Sequence, residues 1–138
     1  MLVEKAKKYY SQAYDFNCAE TVLYAANEEY SMNLTKETLK TMSAFGGGMA
    51  IESVCGAITG ALAAISILFT VERAHESEKV KNLTKEFFYK FCEILETNNC
   101  AELKAKYRDE EKRCWKMIEA ASIILDEIVI REKDKIGL

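Results

Sequence analysis

Apolar residues recur at intervals of three and four through most of this chain, with Lys and Glu between them, and one long stretch departs from that rule by carrying no charge at all. Leu2, Ala6, Tyr9, Tyr10 and Ala13 mark the apolar face of a first helix, expected to end near Asp15. Asn17-Cys18-Ala19-Glu20 reads as a capping box: Asn17 accepts from first-turn amides, and Glu20 reaches back three residues. It opens a second helix to about Tyr30, with Val22, Leu23, Ala26 and Tyr30 inward. Thr35 caps a short third helix whose last turn, Met42 to Phe45, runs into Gly46-Gly47-Gly48. Three adjacent glycines cost too much conformational entropy for a helix interior and predict a turn or a close backbone approach.

The uncharged run covers the 18 residues from Val54 to Val71. A surface helix would show a polar face at 3.6-residue spacing, so this segment is expected to be a central helix, about 53–71, capped by Ser53 and buried almost all round. Its length reaches the lower edge of a membrane span. Thr59, Ser66 and Thr70 dilute it, however, and the other segments are amphipathic, so the centre of a soluble bundle is preferred. Gly56 and Gly60, continued by Ala64, allow a neighbouring helix to approach closely. A fifth helix carries Val80, Leu83, Phe87, Phe91 and Ile94 on one face. At Asn99-Cys100-Ala101-Glu102 the tetrapeptide of positions 17–20 recurs, opening a short helix to about Lys106. A last helix is expected from about Asp109 to Glu132, with Trp115, Ile118, Ser122, Leu125 and Ile128 inward. No segment alternates as a strand does. The expected fold is an all-α single domain, residues 1–138, a bundle of five to seven helices around the central apolar one.

Composition narrows the function. Nineteen basic and 22 acidic residues give a net charge of -3, and the Lys and Arg are interleaved with Glu, which excludes the clustered basic footprint that nucleic-acid binding needs. The N-terminal residues resemble no signal peptide, so a cytoplasmic location is expected. In that compartment five cysteines, an odd number, read as reactive, metal-binding or packed thiols before they read as a disulfide frame.

Cys18 and Cys100 fall at the first position of their predicted helices, and Cys55 just after Ser53. Free amides and the helix dipole favour a thiolate there. Cys114, one turn inside the expected last helix, is flanked by Lys112, Arg113 and Lys116, which favour a thiolate as well. Each of these cysteines can equally pack as a small hydrophobe. Cys92, among Phe88, Phe91 and Leu95, is assigned to packing. No Cys-x-x-Cys or histidine-containing metal spacing occurs, and His75, the only histidine, is expected in solvent. The charged run Arg108 to Arg113 reads as a solvated helix start. Gly46, Gly47, Gly48, Gly56 and Gly60 are the positions where a cofactor could approach the backbone. The triple glycine lacks the Gly-Lys-Ser/Thr ending and preceding strand of a nucleotide loop, which favours a structural turn.

Cys55-Gly56-Ala57-Ile58-Thr59-Gly60, preceded by Phe45-Gly46-Gly47-Gly48-Met49, resembles the Cys-Gly-Ala-x-x-Gly signature of the redox-active C_GCAxxG_C_C family. Phe16-Asn17-Cys18-Ala19-Glu20 is similar to its first cysteine block, Asn99-Cys100-Ala101-Glu102-Leu103 to its third, and Cys114 with Ala120-Ala121 to its fourth. The resemblance implies a small helical protein with four family cysteines, Cys18, Cys55, Cys100 and Cys114, and a redox role. It also implies a functional link to a membrane transporter, since members are often encoded beside transporter genes. Cys92 has no counterpart in the pattern.

Three readings follow. In the first, a thiolate at a helix start, Cys55 before Cys18, exchanges with an unidentified redox partner and a second family cysteine resolves it; the pairing stays open among three connectivities. In the second, the same four thiolates, Cys18, Cys55, Cys100 and Cys114, hold a metal or iron-sulfur cluster. In the third, the chain is a structural or partner-binding protein, with a homodimer among the candidates, and its cysteines pack.

Overall fold

The computed structural model describes residues 1–137, and among them the chain is an all-α single domain. Its helices are α1 (Leu2–Tyr9), α2 (Cys18–Glu29), α3 (Lys36–Leu39), α4 (Gly56–Phe69), α5 (Lys79–Leu95), α6 (Cys100–Tyr107) and α7 (Trp115–Lys135). Short 3-10 turns at Lys40–Ala44 and Ala74–Glu76 and a single π-turn at Gly48–Glu52 join them.

The uncharged segment is the middle of the bundle. α4 packs against α2, α5 and α7, and Ala57, Ile58, Gly60, Ala61, Ala64, Ile65 and Phe69 are buried along it. α2 buries Ala19, Val22, Leu23, Ala25 and Ala26, and Ala19 is the residue that meets Gly60 of α4. Gly60 is what permits this approach: a Cβ there would stand 2.5 Å from the Ala19 carbonyl oxygen. α1 lies against α2 and α7, and the pair Phe87 and Phe91 of α5 fills the opposite side of the core. Asp126 of α7, only 5% exposed, accepts hydrogen bonds from the Tyr30 hydroxyl at 2.7 Å and the Leu2 amide at 3.3 Å. One buried carboxylate thereby ties α1 and the end of α2 to α7.

Several boundaries differ from those the pattern predicts. The central helix begins at Gly56 and ends at Phe69, so it is shorter than 53–71, and Cys55 rather than Ser53 is its N-cap residue. It is not buried all round either, since Ser66 and Ile67 face solvent and Val71, beyond its end, is 89% exposed. No helix among the described residues is long and apolar enough to cross a membrane. α1 stops at Tyr9 and leaves Ala13 exposed. The chain then turns, with Asp15 at φ 56°, so that Phe16 stacks on Tyr24 at a centroid distance of 4.2 Å. α7 begins at Trp115 and not at Asp109. The Asp109 carboxylate and carbonyl accept from the Lys112 and Arg113 amides, closing a turn that Arg113 leaves at φ 53°. Ile94, expected inward, is 54% exposed, and Leu95 takes the buried position.

Candidate functional site

The four cysteines of the sequence pattern stand at the ends of four different helices. Cys18 and Cys100 are the first residues of α2 and α6, as expected, each behind an asparagine cap. The Asn17 side chain accepts from the Glu20 amide at 2.8 Å, and Glu20 accepts from the Asn17 amide at 2.9 Å. Asn17 also donates to the Ser43 carbonyl at 3.1 Å, which fixes the start of α2 to the segment before the glycines. Asn99 repeats the cap, accepting from the Glu102 amide at 3.0 Å, and donates to the Glu52 carbonyl at 3.3 Å.

Cys55 and Cys100 are brought together by backbone pairing. Val54 and Asn99 form an isolated antiparallel bridge, in which the Cys55 amide donates to the Asn98 carbonyl at 2.9 Å and the Cys100 amide to the Ser53 carbonyl at 2.5 Å. Cys114 is the N-cap residue of α7, and its amide donates to the Tyr10 hydroxyl at 3.1 Å.

The glycines let these ends close on one another. The chain from Gly47 to Glu52 is largely left-handed, with φ near 60° at Gly47, Gly48, Met49 and Ala50 and 55° at Glu52; the two glycines adopt this without strain, whereas Met49, Ala50 and Glu52 do so at a cost. A Cβ on Gly48 would stand 2.7 Å from Cys100 Cβ, and one on Gly56 would stand 3.2 Å from Cys18 Cβ. A Cβ on Gly46 would overlap the Asn17 side chain. A side chain at Gly46, Gly48, Gly56 or Gly60 would thus meet the chain itself, and Gly56 also lines the cavity described next. Gly47 has open space beside it and lines the cavity described next.

Cys18, Cys55, Cys100 and Cys114 all line one cavity of about 220 Å³, together with Tyr10 and Arg108. All four are free thiols. Cys55, Cys100 and Cys114 are 4%, 6% and 8% exposed, while Cys18 is half-buried. Cys92 lies elsewhere, half-buried on α5, where Asn98 Nδ2 stands 3.8 Å from its sulfur.

A model of a protein family described as "Putative redox-active protein (C_GCAxxG_C_C)" matches residues 16–128, a span that includes all four cavity cysteines. The chain belongs to the C_GCAxxG_C_C family. No curated protein and no solved structure matches it.

The cavity gives the family's four cysteines different electrostatic settings. Helix starts were expected to lower the pKa of three of them, yet all three are raised. Cys55 is pushed up to about 12 by burial, against partial relief from the Ala57 and Ile58 amides. Burial also raises Cys100, and Lys104 offsets part of that shift. Cys18 is raised first by the neighbouring Cys114 thiol and then by burial.

Cys114 alone is lowered, to about 6 from an ordinary value of 9.0. The neighbouring Cys18 thiol is the largest cause, and Arg108 and Lys104 supply positive charge. Two adjacent thiols titrate as a pair, with Cys114 shifted down and Cys18 shifted up.

Among the described residues no three His, Cys, Asp or Glu side chains are disposed to hold one ion, whereas a tetrahedral thiolate site needs four sulfurs about 2.3 Å from one centre.

Three residues of the site were not singled out from sequence. Tyr10 had been placed on the apolar face of the first helix, and Arg108 in a solvated helix start. Lys104 has only its position one turn after Cys100 to mark it, a signal legible once Cys100 is known to face inward.

Proposed function

We propose that this protein is a thiol-disulfide redox protein in which Cys114 is the attacking thiolate and Cys18 the resolving thiol. The observation that carries the reading is the shared cavity that Cys18 and Cys114 line with Arg108, in which Cys114 is the one thiol whose pKa is lowered. It supplies the two requirements of exchange, a sulfur ionised near neutral pH and a second thiol beside it. Cys55, the first choice from sequence, gives way because burial keeps it protonated.

In the reaction, Cys114 Sγ attacks one sulfur of a partner disulfide, and the other leaves as a thiolate. Cys18 then loses its proton and attacks Cys114 Sγ, releasing the second partner sulfur. The partner disulfide is reduced to two thiols, and the protein's two thiols are oxidised to one disulfide. Cys55 and Cys100 line the same cavity as neutral thiols and are not needed for this exchange.

The test is a redox titration in glutathione buffers with thiol counting. The wild-type protein loses two free thiols in one reversible step, and the Cys114→Ser and Cys18→Ser variants lose that step. Persistence of the step in both variants would show that another pair carries the chemistry.

A further inference from the structure

Three cations line the cysteine cavity, and among the described residues two of them have no anionic partner. Lys104 pairs with Glu52 at 3.1 Å. Arg113 lies over the Tyr10 ring, its guanidinium carbon 4.0 Å from the centroid, and donates to the Tyr10 carbonyl at 2.7 Å. Arg108 lines the same cavity as Cys114. Among the described residues neither arginine forms an ion pair with a carboxylate, whereas Arg131, on the far end of α7, holds Glu86 through both terminal nitrogens at 2.6 and 2.8 Å. A guanidinium presents a planar fork of donors suited to a carboxylate, and two such forks on one cavity leave a surplus of positive charge where a substrate would sit.

The cavity also limits size. Its volume of about 220 Å³ lies below the range of about 300–1,000 Å³ typical of sites for drug-sized ligands. Cys114 is 8% exposed at its wall. A disulfide held in the surface of a folded protein cannot be brought to a sulfur so placed, but a molecule of a few heavy atoms can enter. Resting on the dithiol reading above, we propose that the substrate is a small anionic disulfide with a carboxylate a few bonds from sulfur, and that Arg108 and Arg113 bind that carboxylate while Cys114 attacks. The near substrate sulfur bonds to Cys114 Sγ as the substrate S-S bond breaks, and its electron pair leaves on the far sulfur, which takes a proton from water. Cys18 gives up its proton and displaces the near half, so one substrate disulfide becomes two thiols and the protein gains one disulfide.

The experiment compares three small disulfides of similar size: dithiodipropionate, which is dianionic, the neutral bis(2-hydroxyethyl) disulfide, and cationic cystamine. Rates of oxidation of the reduced full chain are measured at low ionic strength. Each is divided by the rate of the same disulfide with free 2-mercaptoethanol, which removes differences in leaving-group chemistry. The dianion is expected to be favoured about tenfold over the neutral compound, with cystamine slowest, and the preference should shrink as salt screens it. Arg108→Gln should reduce the ratio of the dianion rate to the neutral rate several-fold, and an unchanged urea midpoint in that variant separates loss of recognition from loss of folding. Equal normalised rates for all three disulfides, or a preference unchanged in Arg108→Gln, overturn this proposal and leave the dithiol reading standing. Failure of every disulfide to generate a Cys18-Cys114 bond overturns both.

Discussion

Replacing Cys18 by alanine removes the neighbouring thiol that contributes most to the lowered pKa of Cys114 while keeping the Cβ that packs on Gly56. The expected result is an upward shift of the Cys114 midpoint from about 6 towards 9.0, stopping short because Arg108 and Lys104 remain. At pH 7 a thiol of pKa about 6 is roughly 90% ionised and one of pKa about 9 roughly 1%, close to a hundredfold difference in thiolate. Intrinsic nucleophilicity moves the other way, by about 15- to 30-fold over three units for a Brønsted slope of about 0.4–0.5. The net change in rate at pH 7 is therefore only about three- to sixfold by the same relation, so a single-pH comparison decides little.

The assay is the full pH profile of iodoacetamide alkylation between pH 4 and 10, with the Cys114 peptide quantified by mass spectrometry and each profile normalised to its own plateau. A wild-type midpoint near the ordinary thiol value, or a midpoint that does not move in Cys18→Ala, would refute the reasoning. The same shift carries a sign for stability. The folded pKa of Cys114 lies below its unfolded value, so its contribution is complete above 9.0 and is lost as pH falls through about 6.

Other consequences concern the frame that holds the site. Gly60→Ala drives a methyl group to 2.5 Å from the Ala19 carbonyl oxygen and should cost about 1–3 kcal/mol through separation of α2 and α4, read as a lower urea midpoint with an unchanged slope. Asn17→Ala removes the α2 cap and the tie to Ser43, for an expected loss of about 1–2 kcal/mol in the same assay. Cys55, raised to about 12, contributes stability that is complete below its unfolded value of 9.0 and is lost as pH rises towards 12. The urea midpoint of the reduced protein should therefore fall between pH 9 and 11, and Cys55→Ser should flatten that slope.

The sequence made the helices legible where local chemistry decides them and obscured them where distant packing does. The two Asn-Cys-Ala-Glu segments announced α2 and α6 through side chains within three residues of each cap, and both starts agree with the structure. The end of α1 depends instead on Phe16 stacking against Tyr24 and on Tyr10 meeting Cys114, partners 8 and 104 residues away. Nothing in the local spacing of Tyr9, Tyr10 and Ala13 records either contact. The charged run before α7 likewise looked helical until its Asp109 turn was seen to close on Arg113.

The candidate site shows the same division. Its four cysteines could be named from the pattern, and the glycines beside them pointed to close approach. Their acidity could not be inferred, because it follows from burial and from Cys18 facing Cys114, two residues 96 positions apart on different helices. At Cys55, 4% exposed and without a neighbouring cation among its causes, burial outweighs the helix-start amides.

The most direct test is peptide mapping of the disulfide formed when the reduced protein is treated with one equivalent of a mild oxidant such as a small disulfide. The account predicts a single crosslinked peptide pair joining Cys18 to Cys114, with Cys55, Cys92 and Cys100 recovered as free thiols. A dominant crosslink through Cys55 or Cys100, or recovery of all five cysteines unchanged, would contradict it.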